Sequence, residues 1–267
     1  MKSDYPLPPG LMKRENFVSA WPGRIQRLDT VSSTQEEAKR LAENGAPEGT
    51  AVMAEEQTGG RGRMGRKWHS PRGKGIWMSL VLRPELPLSL TPQLTLLAGV
   101  AVCTAIRTVT GVPAGIKWPN DLLAGGRKIC GILLESSFRE GGLHYCIAGI
   151  GIAVNLTEED YPDELKTVGT SLLIEGGGIP VDRMRLAAAV LTELEYLYTL
   201  YIAHGFQPIK VLWESMSVTL GRQVSVNSSR GRTEAVAVGL DEGGGLMLRS
   251  SSTGEITSVL SGEIELI

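Results

Sequence analysis

Three histidines, three cysteines and three phenylalanines in 267 residues leave little material for several kinds of chemistry. His69, His144 and His204 lack the short spacing that a metal site uses, so no metal-ligating set is expected. Cys103, Cys130 and Cys146 are odd in number, sit in apolar surroundings and show no Cys-x-x-Cys spacing, so they are expected as buried free thiols. No Gly-x-Ser-x-Gly elbow occurs, which argues against a covalent acyl-enzyme. No apolar run approaches the roughly 18 residues of a membrane helix, and the N-terminus has no apolar signal core. A cytoplasmic protein without a membrane partner is expected. Neither charge dominates: 27 Lys and Arg against 29 Asp and Glu give a net charge of −2, so no broad basic field is available for nucleic acid.

Against that background, with 42% hydrophobic and 21% charged residues, the chain has the composition of a globular protein, one large domain plus a small one. Residues 1–22 are rich in proline and glycine and read as an N-terminal arm, leaving no room ahead of the large region for a helix-turn-helix. Residues 23–217 form the large region. It begins with a strand over Arg24 to Asp29, and Ser33-Thr-Gln-Glu36 is a capping box opening a helix to about Gly45. Pro92 to about Thr110 reads as a buried helix, and Asp182 caps another to about Ala203. Residues 218–267 alternate short strands with Gly and Ser turns, as a small β-barrel does.

The stretch that packing alone does not explain runs from Gln57 to Lys74. It carries Arg61, Arg63, Arg66, Lys67, Arg72 and Lys74 with no acidic residue, interleaved with glycines and flanked by two apolar strands. That composition suits an anionic ligand. Gly60-x-Gly62-x-x-Gly65 matches the dinucleotide fingerprint in letters only, because Arg-Lys-Trp-His-Ser-Pro cannot open the required helix. A P-loop is also excluded, since Gly65 is followed by Arg66-Lys67-Trp68 and the magnesium-binding hydroxyl is missing. Further on, Ile116-Lys-Trp-Pro-Asn-Asp121 reads as a strand end and turn, and Lys128-Ile-Cys-Gly-Ile-Leu-Leu-Glu135 as a strand that starts with a cation. Tyr145 to Asn155 reads as its buried partner, in which Gly149 and Gly151 mark a close approach by a ligand, another backbone or a helix.

Taken in order, Gly60-Arg-Gly-Arg-Met-Gly-Arg-Lys-Trp68, Lys117-Trp-Pro-Asn-Asp121 and Arg127-Lys-Ile-Cys-Gly-Ile-Leu133 resemble the motif set of biotin protein ligases. The resemblance covers about residues 24 to 267. It implies an α+β catalytic fold, a mixed β-sheet flanked by helices, with a C-terminal SH3-like β-barrel. It implies activation of biotin by ATP, with Mg2+ arriving on the nucleotide, and transfer of biotin to a lysine of a biotin carboxyl carrier protein. Homodimer formation is compatible with it, and DNA binding is not expected.

The resemblance also implies site residues. Lys128 and Arg63 are the expected catalytic cations. Biotin is expected against Ser33, Thr34, Gln35, Gln57, Arg61, Gly62, Arg63 and Lys128, and the nucleotide against Arg63, Arg66, Trp68, Lys117, Asn120, Lys128 and Asn155. Asp121 is expected to orient the acceptor lysine. One position departs from the family's Gly-Ile-Gly-Ile-Asn-Val-Asn pattern: Ala153 stands where the resemblance implies an asparagine side chain contacting adenine. Lipoate ligase shares the broad fold and adenylate chemistry, and the Gly-Arg-Gly-Arg-x-Gly-Arg loop favours biotin over it.

Overall fold

The computed structural model describes residues 20–21, 23–140, 142–228 and 231–267. The expected N-terminal arm lies outside the described residues except for Ala20 and Trp21, whose backbone N–H groups both donate to Glu195 Oε1.

Two sheets organise the chain. The first contains β1 (Ile25–Val31), β2 (Ala51–Gln57), β3 (Gly75–Leu82), β4 (Gly115–Lys117), β5 (Asp121–Ala124), β6 (Arg127–Arg139) and β7 (Gly142–Ala153), in the order β1-β2-β3-β7-β6-β5-β4. β1 and β2 run parallel and the other neighbours antiparallel, so the sheet is mixed. β3 is buried along its whole length, which is why its sequence is continuously apolar instead of alternating. Val52 and Val81 face α1 (Thr34–Glu43) with Ala38 and Ala42, whereas Ala51, Met53, Leu80 and Leu82 belong to the main core on the other face. There α2 (Thr91–Thr110), α4 (Arg183–His204) and α5 (Gln207–Met216) pack, with the short α3 (Leu172–Glu175) preceding α4.

Two expectations need correction here. Leu88–Thr110 and Arg183–His204 are each long and apolar enough by length and composition to cross a membrane, contrary to the expectation of no such run. Their apolar windows are 78% and 56% buried inside the protein, because α2 and α4 pack on each other and on the sheet. The Ser33 cap is present, accepting from Gln35 N–H at 3.3 Å, but Glu36 does not close a capping box. Its carboxylate is drawn instead to Arg61.

The second sheet is antiparallel, with β8 (Gln223–Ser228), β9 (Gly231–Leu240), β10 (Leu246–Ser250), β11 (Ile256–Val259) and β12 (Glu263–Leu266) in the order β11-β10-β9-β8-β12. The cluster that holds Trp118 and Trp213 continues into Val224, Ala235, Ala237 and Leu246, so the two sheets share one apolar core.

Candidate active site

β2 and β3 are neighbours in the sheet, and residues 58–74 between them are the basic loop. It folds back on itself: Gly62 N donates to Arg66 O (2.7 Å) and Trp68 N to Gly60 O (2.9 Å). Met64 at the tip adopts a left-handed φ of 56° and is exposed, a conformation that costs a non-glycine residue energy. The cations do not stand free. Arg61 pairs with Glu36 on α1 and approaches Glu135 on β6, Arg66 pairs with Glu263 on β12, Arg72 holds Asp29 on β1 at 2.5 Å, and Lys74 holds Asp160 at 2.9 Å. Arg63 instead donates to Asn120 Oδ1 at 2.9 Å. Burial pulls the Arg63 pKa below its ordinary value, opposed by Asp121, and a guanidinium so depressed still carries its charge.

Beneath the loop is a cavity of about 730 Å3. Of the expected site residues, Ser33, Thr34, Gln35, Gln57, Arg61, Gly62, Arg63, Arg66, Trp68, Lys117, Asn120, Asp121 and Lys128 all line it. Its polar end is a hydrogen-bonded chain. Gln57 Oε1 accepts from both the N–H (2.8 Å) and the hydroxyl (3.0 Å) of Thr34, and Gln57 Nε2 donates to Ser70 Oγ (2.9 Å). The Thr34 and Ser79 hydroxyls lie 2.9 Å apart, and Ser79 donates to Gln35 Oε1 at 3.1 Å. Sequence reasoning missed Ser70 and Ser79. Ser79 had left a signal, being the one hydroxyl in the otherwise apolar Gly75–Leu82 strand.

Two of the expected site residues are engaged in hydrogen bonds within the fold. Gln35 reaches across the sheet to donate to Ile147 O (3.1 Å) and Leu133 O (3.4 Å), so both its N–H donors are engaged while its oxygen accepts from Ser79. Gly149 owes its missing side chain to this residue, since a Cβ there would stand 2.4 Å from Gln35 Oε1. Asn155 does not line the cavity; its amide exchanges two 2.9 Å hydrogen bonds with the backbone of Val181, fixing the approach to α4. Its geometry is that of a structural clamp, because the strand has left the cavity floor two residues earlier.

The charged end gathers around Lys128. Its Nζ is 2.6 Å from Asp121 Oδ1 and 5.2 Å from the centre of the Trp68 ring. Its backbone is held on both sides, donating to Val168 O (2.8 Å) and accepting from Thr170 N (2.9 Å). Trp68 lies against Gly131 and Gly151, which face each other across β6 and β7. A Cβ on Gly151 would come within 2.3 Å of Trp68 Nε1, so the indole leaves no room for one there, and a Cβ on Gly131 would stand in tight contact with the ring at 3.0 Å. Lys117 also opens on the cavity, and its ammonium is held below the ordinary lysine pKa, first by burial, with Asp121 opposing and Lys128 adding to the shift. β12 supplies the remaining wall through Glu263 to Leu266, a contribution not anticipated from sequence.

Arg63, Arg66, Lys117 and Lys128 at one end of a cavity whose other end presents hydroxyls and an amide make an arrangement for a ligand that is polar and uncharged at one end and anionic at the other. Comparisons with known proteins bear directly on this. Residues 28–153 match the model of the biotin/lipoate A/B protein ligase family, and residues 219–267 match the biotin protein ligase C-terminal domain. The bifunctional ligase/repressor BirA of Bacillus subtilis is 47% identical over 238 residues, covering 89% of this chain and 72% of that protein. The chain belongs to the biotin protein ligase family. The biotin–[acetyl-CoA-carboxylase] ligase of Paracoccus denitrificans is 33% identical over 226 residues, 83% of this chain and 92% of that one. Among solved structures, the biotin protein ligase of Aquifex aeolicus in complex with biotin and ATP superposes with a TM-score of 0.78 at 34% identity, over 91% of this chain and 98% of that chain. The fold is thus the biotin ligase catalytic fold with its C-terminal antiparallel sheet, and as a member of this family the chain is an enzyme, a ligase that joins biotin to a carrier protein.

Proposed function

We propose that this biotin protein ligase makes biotinyl-5'-AMP in the cavity beneath the basic loop and passes the biotinyl group to one lysine of a biotin carboxyl carrier protein. The observation that carries the proposal is the meeting of Arg63, Arg66, Lys117 and Lys128 at one end of a cavity whose other end holds Thr34, Gln57 and Ser79. A carboxylate is a poor electrophile with a poor leaving group, and adenylation remedies both. The biotin carboxylate attacks the α-phosphorus of ATP and pyrophosphate leaves; the acceptor lysine then attacks the acyl carbon and AMP leaves. Negative charge builds at the phosphate in the first step and on the acyl oxygen in the second, so fixed cations serve the reaction better than an acid–base pair.

In this reading the ureido ring, with donors and an acceptor, takes the Thr34–Gln57 end beside Ser33, and the carboxylate points to Lys128 and Arg63. Lys128 moves from Asp121 to the α-phosphate, Arg63 binds phosphate or carboxylate oxygens, and Arg61 and Gly62 form the adjoining loop wall. Arg66 and Lys117 serve the nucleotide, with Asn120 holding Arg63 in place. Mg2+ enters as part of the nucleotide substrate and keeps most of its waters. The closed loop excludes water from the adenylate.

We further read the enzyme as cytoplasmic and acting as a ligase without DNA binding. Support for the absence of DNA binding comes from the loop itself, whose Arg61, Arg72 and Lys74 pair with carboxylates of the same chain. Salt-dependent binding of the intact protein to duplex DNA, measured at two ionic strengths, would overturn that part. The outer edge of β1 offers a strand for a second copy to pair with, which size-exclusion chromatography with and without biotin and ATP reads out.

The deciding experiment supplies Mg-ATP, a carrier domain and either biotin or lipoate, and reads the carrier's mass. A biotinyl gain with biotin alone is expected. A lipoyl gain, or none with either acid, overturns the assignment.

A further inference from the structure

Lys128 reaches the cavity through an irregularity in its strand. β5 and β6 pair Asp121 with Gly131 and Leu122 with Cys130, but the next pair is Leu123 with Lys128, so Ile129 is the extra residue of a β-bulge. In an uninterrupted strand, residues two apart share a face and residues three apart do not. Lys128 would then point with Cys130 into the apolar core. With the bulge, Ile129 and Cys130 both enter that core, and Lys128 emerges on the side of Gly131, where a Cβ would lie 3.3 Å from Lys128 Cε. The bulge therefore decides whether the ammonium faces the cavity or the core.

The group that grips the bulge lies behind the cavity wall. The turn from β5 to β6 is Gly125-Gly126, with φ of 54° and 80°. The carboxylate of Glu175, the last residue of α3, fills the space that a Cβ on Gly125 would take. Its Oε1 accepts from the Thr170 hydroxyl (2.7 Å) and from Arg127 Nη2 (3.2 Å). Thr170 N in turn donates to Lys128 O, and Lys128 N to Val168 O, the two backbone bonds on either side of the lysine. One carboxylate thus joins the turn ahead of Lys128, the residue before it and the strip that lies along it. α3 is itself anchored: Ser171 Oγ accepts from Ile174 N (3.2 Å) and donates to Leu156 O (2.6 Å), and Leu173 N donates to Val154 O (2.8 Å). Glu175, Arg127 and Thr170 do not line the cavity, so their influence on a substrate passes through Lys128.

We propose that Glu175 is a positioning residue for Lys128, fixing the bulge that turns the ammonium out of the core and toward the α-phosphate. This rests on the role given to Lys128 above. Without the carboxylate, the turn and the strip can shift independently, and a displacement of about 1 Å at a reacting group can cost about a hundredfold in rate.

The test measures kcat and KM from biotin-dependent pyrophosphate release, ATP affinity by calorimetry, and the melting temperature. Glu175→Ala is expected to lower kcat about ten- to a hundredfold while KM for biotin changes by less than about twofold. Glu175→Gln keeps an acceptor oxygen for Thr170 and Arg127 and should hold kcat within about threefold of wild type. The readout that a merely structural role would not move is the coupling to Lys128: in a Lys128→Ala background, Glu175→Ala should lower the residual rate by less than about twofold. Equal factors in the two backgrounds would reject the proposal, as would a glutamine variant no faster than the alanine one. Should Glu175→Ala not fold, Thr170→Val is expected to lower kcat about tenfold and Thr170→Ser to keep it within about threefold, and equal values overturn the proposal. The two readings fail separately. If wild type shows no biotin-dependent release, the ligase mechanism falls, and ATP affinity carries the same comparison: a loss in Glu175→Ala that vanishes in the Lys128→Ala background keeps the positioning role, and any other pattern rejects both. Normal wild-type release with equal factors in the two backgrounds rejects the positioning role alone.

Discussion

Lys128 begins a strand, is only about one-third exposed (32%), and is pinned through its backbone between Val168 and Thr170. A cation so placed loses little on being aimed, because the strand has already fixed its root. Lys128→Ala is expected to lower biotin-dependent pyrophosphate release by about 10²–10³ while leaving the unfolding transition nearly where it was. Normal release from a folded variant would remove Lys128 from the mechanism. Lys117 makes a prediction in pH. Its folded-state pKa lies below the ordinary 10.5, with burial the first cause, so the ammonium is lost as pH rises through the lowered value. Nucleotide kcat/KM should therefore fall on the alkaline side at a pH below 10.5, and Lys117→Arg should move that limb upward. Between the folded and unfolded values the native state binds fewer protons, so this group alone makes stability increase with pH there. Sequence reading brought both lysines to the cavity because a cation at a strand end is a local pattern, Lys117 ahead of Asn-Asp and Lys128 at the head of an apolar run. It did not show that Asn155 stands off the cavity, because the clamp on Val181 depends on a segment 26 positions away, which no local pattern records.

At the scale of elements, the basic loop is held at its rim by carboxylates from α1, β1, β6 and β12 and at its centre by Asn120 on Arg63. In the proposed reaction the centre is the part that would shield the substrate. Arg63→Gly should release the adenylate about ten- to a hundredfold faster, the range for one charge-assisted hydrogen bond, when free biotinyl-AMP is followed after a single turnover. If the intermediate is retained as long as in wild type, the loop is not the seal. The loop's position between two strands and the existence of its neighbours were legible from the change from apolar runs to Gly-Arg alternation. Its rim contacts were not, because they pair residues far apart in the chain, Arg66 with Glu263 being the extreme case. The close approach read into Gly149 and Gly151 was real, yet the approaching groups are side chains, Gln35 from a helix and Trp68 from the loop. The two apolar helices show the limit of composition: the same stretch satisfies a membrane or a sheet, and the sheet's apolar face decides.

At the scale of the molecule, the C-terminal sheet is bonded into the catalytic region through Trp118. Its backbone N–H donates to Thr219 Oγ1 (3.0 Å), its indole donates to Gly244 O (3.3 Å), and it is 2% exposed. Trp118→Ala should cost about 3–5 kcal/mol, and denaturant unfolding should then separate into two steps where wild type shows one. A single transition with an unchanged midpoint would mean that the two regions are held elsewhere. The Lys128–Asp121 pair also bears on the order of the proposed reaction. With the ammonium on the carboxylate, Asp121 presents no free charge to an incoming lysine. If the α-phosphate draws the ammonium away, as proposed above, Asp121 regains its charge once the nucleotide is in place. The carrier would then be called to an enzyme already loaded, and the two half-reactions would keep their order through one carboxylate changing hands.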